Sequence, residues 1–149
     1  MNHSVSRSTL LSQICVVLFA VCLAALDIGC YWAVGFFIRL RNMPWQTGIF
    51  MMITLYLCSV FGWILLVRLW SLLKNIRAGE VFTERNVRSL HAVSCCCVGA
   101  FVILLVSAIY YIPFLFVSMA AGFMALLVHI IQNIFHQAVA MKDDLDLTI

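Results

Sequence analysis

One carboxylate, Asp27, interrupts an otherwise uncharged run from Ser8 to Ile38. Within a membrane helix such a group costs about 2.5–3.5 kcal/mol on insertion scales, so it should face protein or water. Two roles fit it: proton or cation coupling in a small transporter or channel, and a structural hydrogen-bonded role. Helical rise puts Asp27 about 18 Å before Arg39, in the outer half of the bilayer. Thr54, Tyr110, Tyr111 and Ser118 are its expected partners in that leaflet. A second set lies further along the chain, where Ser118, Gly122, Ala125, His129, Gln132 and His136 recur at spacings of three and four. They form one small or polar helical stripe facing the bundle, on which His129 is a candidate intramembrane functional residue. His91 is expected to approach His136, but without a tight His motif or acidic co-ligands no metal or haem cofactor follows.

Of the seven cysteines, Cys95, Cys96 and Cys97 are consecutive. Successive helical side chains point about 100° apart, so the triplet cannot form one tetrahedral cage. Cysteine in such a setting acts as a small hydrophobe. Only Cys30 is expected near an oxidising face, and no disulfide framework is implied. No phosphate loop, nucleophile elbow, catalytic carboxylate pair or zincin motif occurs, so the chain is not read as an enzyme.

The elements that must position these residues are four long apolar runs. Hydrophobic residues make up 65% of the 149 positions and charged residues 10%, whereas soluble domains carry about 25% charge. Lipid must therefore be the outer solvent. The expected spans are about 11–33, 48–70, 92–112 and 114–136, with Pro113 turning the chain between the last two. The first run is retained rather than cleaved, because it is too long for a signal peptide and lacks a small-x-small site. The predicted fold is an all-α integral membrane four-helix bundle forming a single domain, with a short cytoplasmic helical hairpin at about 71–91 and a tail at 137–149. Arg7, Arg68, Lys74, Arg77, Arg85, Arg88 and Lys142 fall on one side, against Arg39 and Arg41 on the other. The positive-inside bias therefore predicts a multi-pass protein of the cell membrane with both termini cytoplasmic. A net charge of +3 is too small and too dispersed for direct binding of nucleic acid.

The hairpin carries local stop and start signals. Gly79 suits a left-handed helix end, Thr83 an N-cap, and Glu84 the first turn, while Phe82 is placed to pack on Val87 as a hydrophobic staple. Arg85, Arg88 and Glu84 here, and Asp143, Asp144, Asp146 and Leu147 in the tail, are candidate partner-binding residues. Leu145, Leu147 and Ile149 alternate with polar residues, as an extended segment would. Ala25, Gly29 and Ala33, and Ala92, Cys96 and Ala100, permit close helix approach within one copy or in a homo-oligomer.

The segment GEVFTERNVRSL (Gly79 to Leu90) and the tail KDDLDLTI (Lys142 to Ile149), separated by two spans, resemble the YoaS-type bacterial family of small four-span inner-membrane proteins of unknown function. Members often lie beside a gene for a small helix-turn-helix regulator. By association the resemblance implies a regulatory or interaction role with such a cytoplasmic partner, and it brings no catalytic residues. The alternatives are a small transporter or channel using Asp27, or an immunity protein against a membrane-active peptide.

Overall fold

The computed structural model describes residues 2–148, with side chains from Thr9 onward. Four helices follow in order: α1 (Asn2–Arg41), α2 (Trp45–Arg77), α3 (Glu84–Ser107) and α4 (Pro113–Leu147). Each is long and apolar enough to cross a membrane. The chain is an all-helical four-helix bundle, and its composition and exposed apolar surface make it a multi-pass membrane protein. Ile28 and Ile109 are more than 80% exposed while Ser118 and Asn86 are fully buried. In lipid the outer surface has no reason to be polar, and small hydroxylated side chains go inward because they let helices approach and hydrogen-bond.

Helix ends are set by local chemistry. After α1, Asn42 adopts φ +49, the left-handed conformation that asparagine tolerates better than most residues. The Met43 amide donates to the Ile38 carbonyl and the Asn42 amide to that of Arg39, a Schellman ending. Pro44 follows and prevents continuation. The same motif closes α2: Gly79 stands at φ +85, the Glu80 amide donates to Asn75 and the Gly79 amide to Ile76. Pro113 opens α4 at a position where a missing N–H costs nothing.

Among the described residues, helix backbones approach closely only between neighbours in sequence: α1 with α2, α2 with α3, and α3 with α4. Side chains of all four meet at the end remote from the hairpin, where Cys30, Val34, Ile38, Met51, Leu104 and Phe114 form the larger core cluster. There the Phe37 and Tyr111 rings pack edge to face at 5.8 Å, joining α1 to the α3–α4 corner. A smaller cluster of Val93, Cys97 and Ala125 joins α3 to α4. Close approach of α2 and α3 depends on Gly99, since a Cβ there would lie 2.9 Å from the Phe61 ring.

Candidate functional site

Asp27 sits on α1 opposite Ser59 and Trp63 of α2. The Ser59 hydroxyl donates to its Oδ2 at 2.7 Å and the Trp63 indole N–H to the same oxygen at 3.0 Å. The Tyr56 hydroxyl donates to the Asp27 backbone carbonyl at 3.2 Å. These are not the partners expected from the sequence. A tight turn around Met43 pairs residues equidistant from it, which matches position 27 with 59. Ser59 lies about 21 Å along α2 by helical rise, close to the roughly 18 Å that separates Asp27 from Arg39.

Thr54, Tyr110 and Ser118 are engaged elsewhere. Thr54 Oγ1 shares hydrogen bonds with the Ser107 hydroxyl at 2.8 Å and with the Tyr110 hydroxyl, and Tyr110 also donates to the Phe50 carbonyl. Ser118 donates to the Leu115 carbonyl of its own helix. Tyr111 stacks edge to face on Phe114 at 5.3 Å. Beside Asp27 lies a groove of about 370 Å³ whose walls include Leu23, Ala25, Gly29, Cys30, Leu55 and Cys58. Ala25, Gly29 and Ala33 all line it, and nothing stands within 4 Å of where a Gly29 Cβ would be. This small-residue face of α1 is open within one copy of the chain.

The hairpin is locked by a residue that sequence reasoning passed over. Asn86 is fully buried. Its Nδ2 donates to the Glu80 and Val81 carbonyls, both at 2.8 Å, and its Oδ1 accepts from Asn75 Nδ2 at 2.8 Å. Asn75 and Thr54 stand as far apart on α2 as Asn86 and Ser107 do on α3, an interval of six 3.5-residue turns on one helix–helix seam. That shared spacing was the available signal. Thr83 occupies the N-cap with extended backbone, yet its side chain makes no cap bond and Oγ1 is buried without a partner. The Thr83 carbonyl instead accepts from the Asn86 and Val87 amides.

Phe82 packs against Phe135 of α4, ring centroids 5.6 Å apart. Glu84 and Arg88 form an exposed pair at 3.6 Å, worth little by itself, and Arg85 is exposed. The segment after His136 is helix through Leu147, so the alternation of Leu145 and Leu147 does not mark an extended strand, and Ile149 lies outside the described residues. Adding residues to an existing helix is easy, because each gains a hydrogen bond without a new nucleus. Asp143, Asp144, Asp146 and Leu147 are exposed on it. Asp143 joins Glu84, Val87, Arg88 and His136 around a cleft of about 290 Å³, and the sole ion pair among the described residues remains Arg88 with Glu84.

His129 is exposed on a groove of about 730 Å³ between α3 and α4. His91 meets Gln132 rather than His136, with Nδ1 3.2 Å from Gln132 Nε2, and its Nε2 lies 3.7 Å from Cys95 Sγ. Among the described residues no three of His, Cys, Asp and Glu converge.

The family described as "Protein of unknown function (DUF2975)" matches residues 3–149. The chain belongs to this family. Neither the curated proteins nor the solved structures compared with it provide a match. The DUF2975 assignment covers the whole membrane bundle and agrees with the resemblance to an uncharacterised family carried by the hairpin and tail motifs. It assigns no chemistry to Asp27 or to the cleft beside Asp143.

Proposed function

We propose that this DUF2975 protein is a non-enzymatic regulatory or interaction protein of the bacterial inner membrane. In this reading both termini and the α2–α3 hairpin are cytoplasmic and engage a partner such as a small helix-turn-helix regulator. The observation that supports it best is the preformed surface at the hairpin end: Asn86 ties both sides of the loop together. Beside it α4 carries Asp143, Asp144 and Asp146 as an exposed acidic helix. Rigid elements present side chains with less ordering entropy left to lose on binding, and the acidic helix suits a partner with a basic face.

Two experiments test this. Reporter fusions after Ile149 and within 79–83 should read cytoplasmic, and one near Pro44 external; an external C-terminal signal overturns the orientation. Crosslinking in native membranes should recover a cytoplasmic regulator with the native chain, and Asp143→Lys with Asp146→Lys should abolish recovery without lowering abundance. Recovery that survives the charge reversal rejects the acidic helix as the docking element. The rival reading, transport built on Asp27, draws support from the carboxylate's position in a groove between α1 and α2.

A further inference from the structure

Asp27 is held on one side only. Both side-chain donors, Ser59 and Trp63, reach Oδ2; among the described residues none donates to Oδ1, and Asp27 is only half-buried. No cation balances the charge among the described residues, where the single ion pair is Glu84 with Arg88 at the far hairpin. The remaining acidic residues, Glu80, Glu84, Asp143, Asp144 and Asp146, all lie in the hairpin or its neighbouring helix ends, so Asp27 is the lone fixed acid of the apolar belt.

The groove beside it has apolar walls, among them Leu23, Leu26, Leu55 and Cys58, and its volume of about 370 Å³ lies at the small end of the roughly 300–1,000 Å³ typical of ligand pockets. Gly29 leaves open space on its floor. Ala25, Leu26 and Leu55 on its walls are exposed, so the groove opens on the outer surface of the bundle. A divalent cation held by carboxylates would need several of them, and among the described residues no further pair of acidic, His or Cys ligands converges on Asp27. A single carboxylate between apolar walls instead matches one positive charge on an apolar body.

We infer that the Asp27 groove between α1 and α2 binds a lipophilic organic monocation, its charge against Asp27 Oδ1 and its apolar body over Gly29. This goes beyond the cytoplasmic-partner reading and does not depend on it. The attraction is Coulombic in a medium of low dielectric constant, where a neutral amide of the same shape cannot replace the carboxylate.

The test uses the full chain in nanodiscs of zwitterionic lipid, with tritiated tetraphenylphosphonium as probe and equilibrium dialysis against empty nanodiscs. The native protein should bind saturably, one probe per groove, and neutral triphenylphosphine oxide should not compete. Asp27→Asn should weaken binding at least tenfold. Gly29→Leu, which fills the groove and keeps the carboxylate, should weaken it comparably. Absence of saturable binding by the native chain overturns the proposal, as does an Asp27→Asn protein that binds within threefold of native. If Asp27→Asn does not yield a monodisperse protein, Gly29→Leu decides, and unchanged binding there overturns it. Native-level crosslinking of a cytoplasmic partner by a variant that has lost the probe separates this site from the hairpin function.

Discussion

Asn86 and Asp27 are both polar side chains on long apolar helices, and they differ in how completely their neighbours close around them. Asn86 has no exposed surface, and its oxygen and both its amide hydrogens are used within the chain. Asp27 is half-buried, with two donors on one oxygen and, among the described residues, none on the other. A polar group away from water is costly unless it is hydrogen-bonded, so a saturated group such as Asn86 has finished its work in folding. An unsaturated one such as Asp27 retains capacity for something that comes and goes. The contrast separates a structural lock from a candidate binding site without reference to residue type.

Breaking the lock should have the largest effect. Asn86→Ala orphans the Asn75 amide and the Glu80 and Val81 carbonyls, each at a cost of about 1–3 kcal/mol where burial persists. The hairpin should open, and protease added at the hairpin side should cut within 79–83 many-fold faster than in the native chain. Equal cutting rates would mean that the buried network does not hold the loop.

Next comes the seam between the two regions. Gly99→Leu drives a side chain into the Phe61 ring, and overpacking of this kind costs about 1–3 kcal/mol. Unfolding from mild detergent into SDS should shift to lower SDS by a clear margin, while Gly29→Leu, with open space around it, should leave the midpoint in place. Equal shifts in the two variants would erase the distinction between a closed α2–α3 seam and an open α1 face.

Asp27→Asn should be mild for stability, because Ser59 and Trp63 can still donate to the amide oxygen, and membrane hydrogen bonds average about 0.6 kcal/mol. A loss of more than about 2 kcal/mol in the same SDS titration would make Asp27 a lock like Asn86. The smallest effect belongs to Thr83→Val. The Thr83 hydroxyl makes no cap bond and is buried without a partner, so its replacement by a methyl should cost no stability and should slightly relieve an unpaired buried polar group. The 0.5–2 kcal/mol typical of losing a true N-cap, read as faster hairpin proteolysis, would show that the hydroxyl caps α3 after all.

What the sequence by itself determined is whatever depends on short stretches of chain. Four apolar runs demand four lipid-facing helices, because a backbone in hydrocarbon must satisfy its own hydrogen bonds. Gly79 and Pro113 punctuate them through φ preference and a missing donor, which need no distant neighbour. The tail misled for the same local reason: two alternating leucines suggest extension over a few residues, whereas α4 was already nucleated and had no breaker before Leu147. Tertiary structure decided which polar residues meet. The pairing of Asp27 with Ser59, of Asn75 with Asn86 and of His91 with Gln132 depends on helix register, and a shift of one helical turn, about 5.4 Å, exchanges one partner for another. Turn geometry and close contacts such as Gly99 with Phe61 set that register, and a list of residue types contains neither.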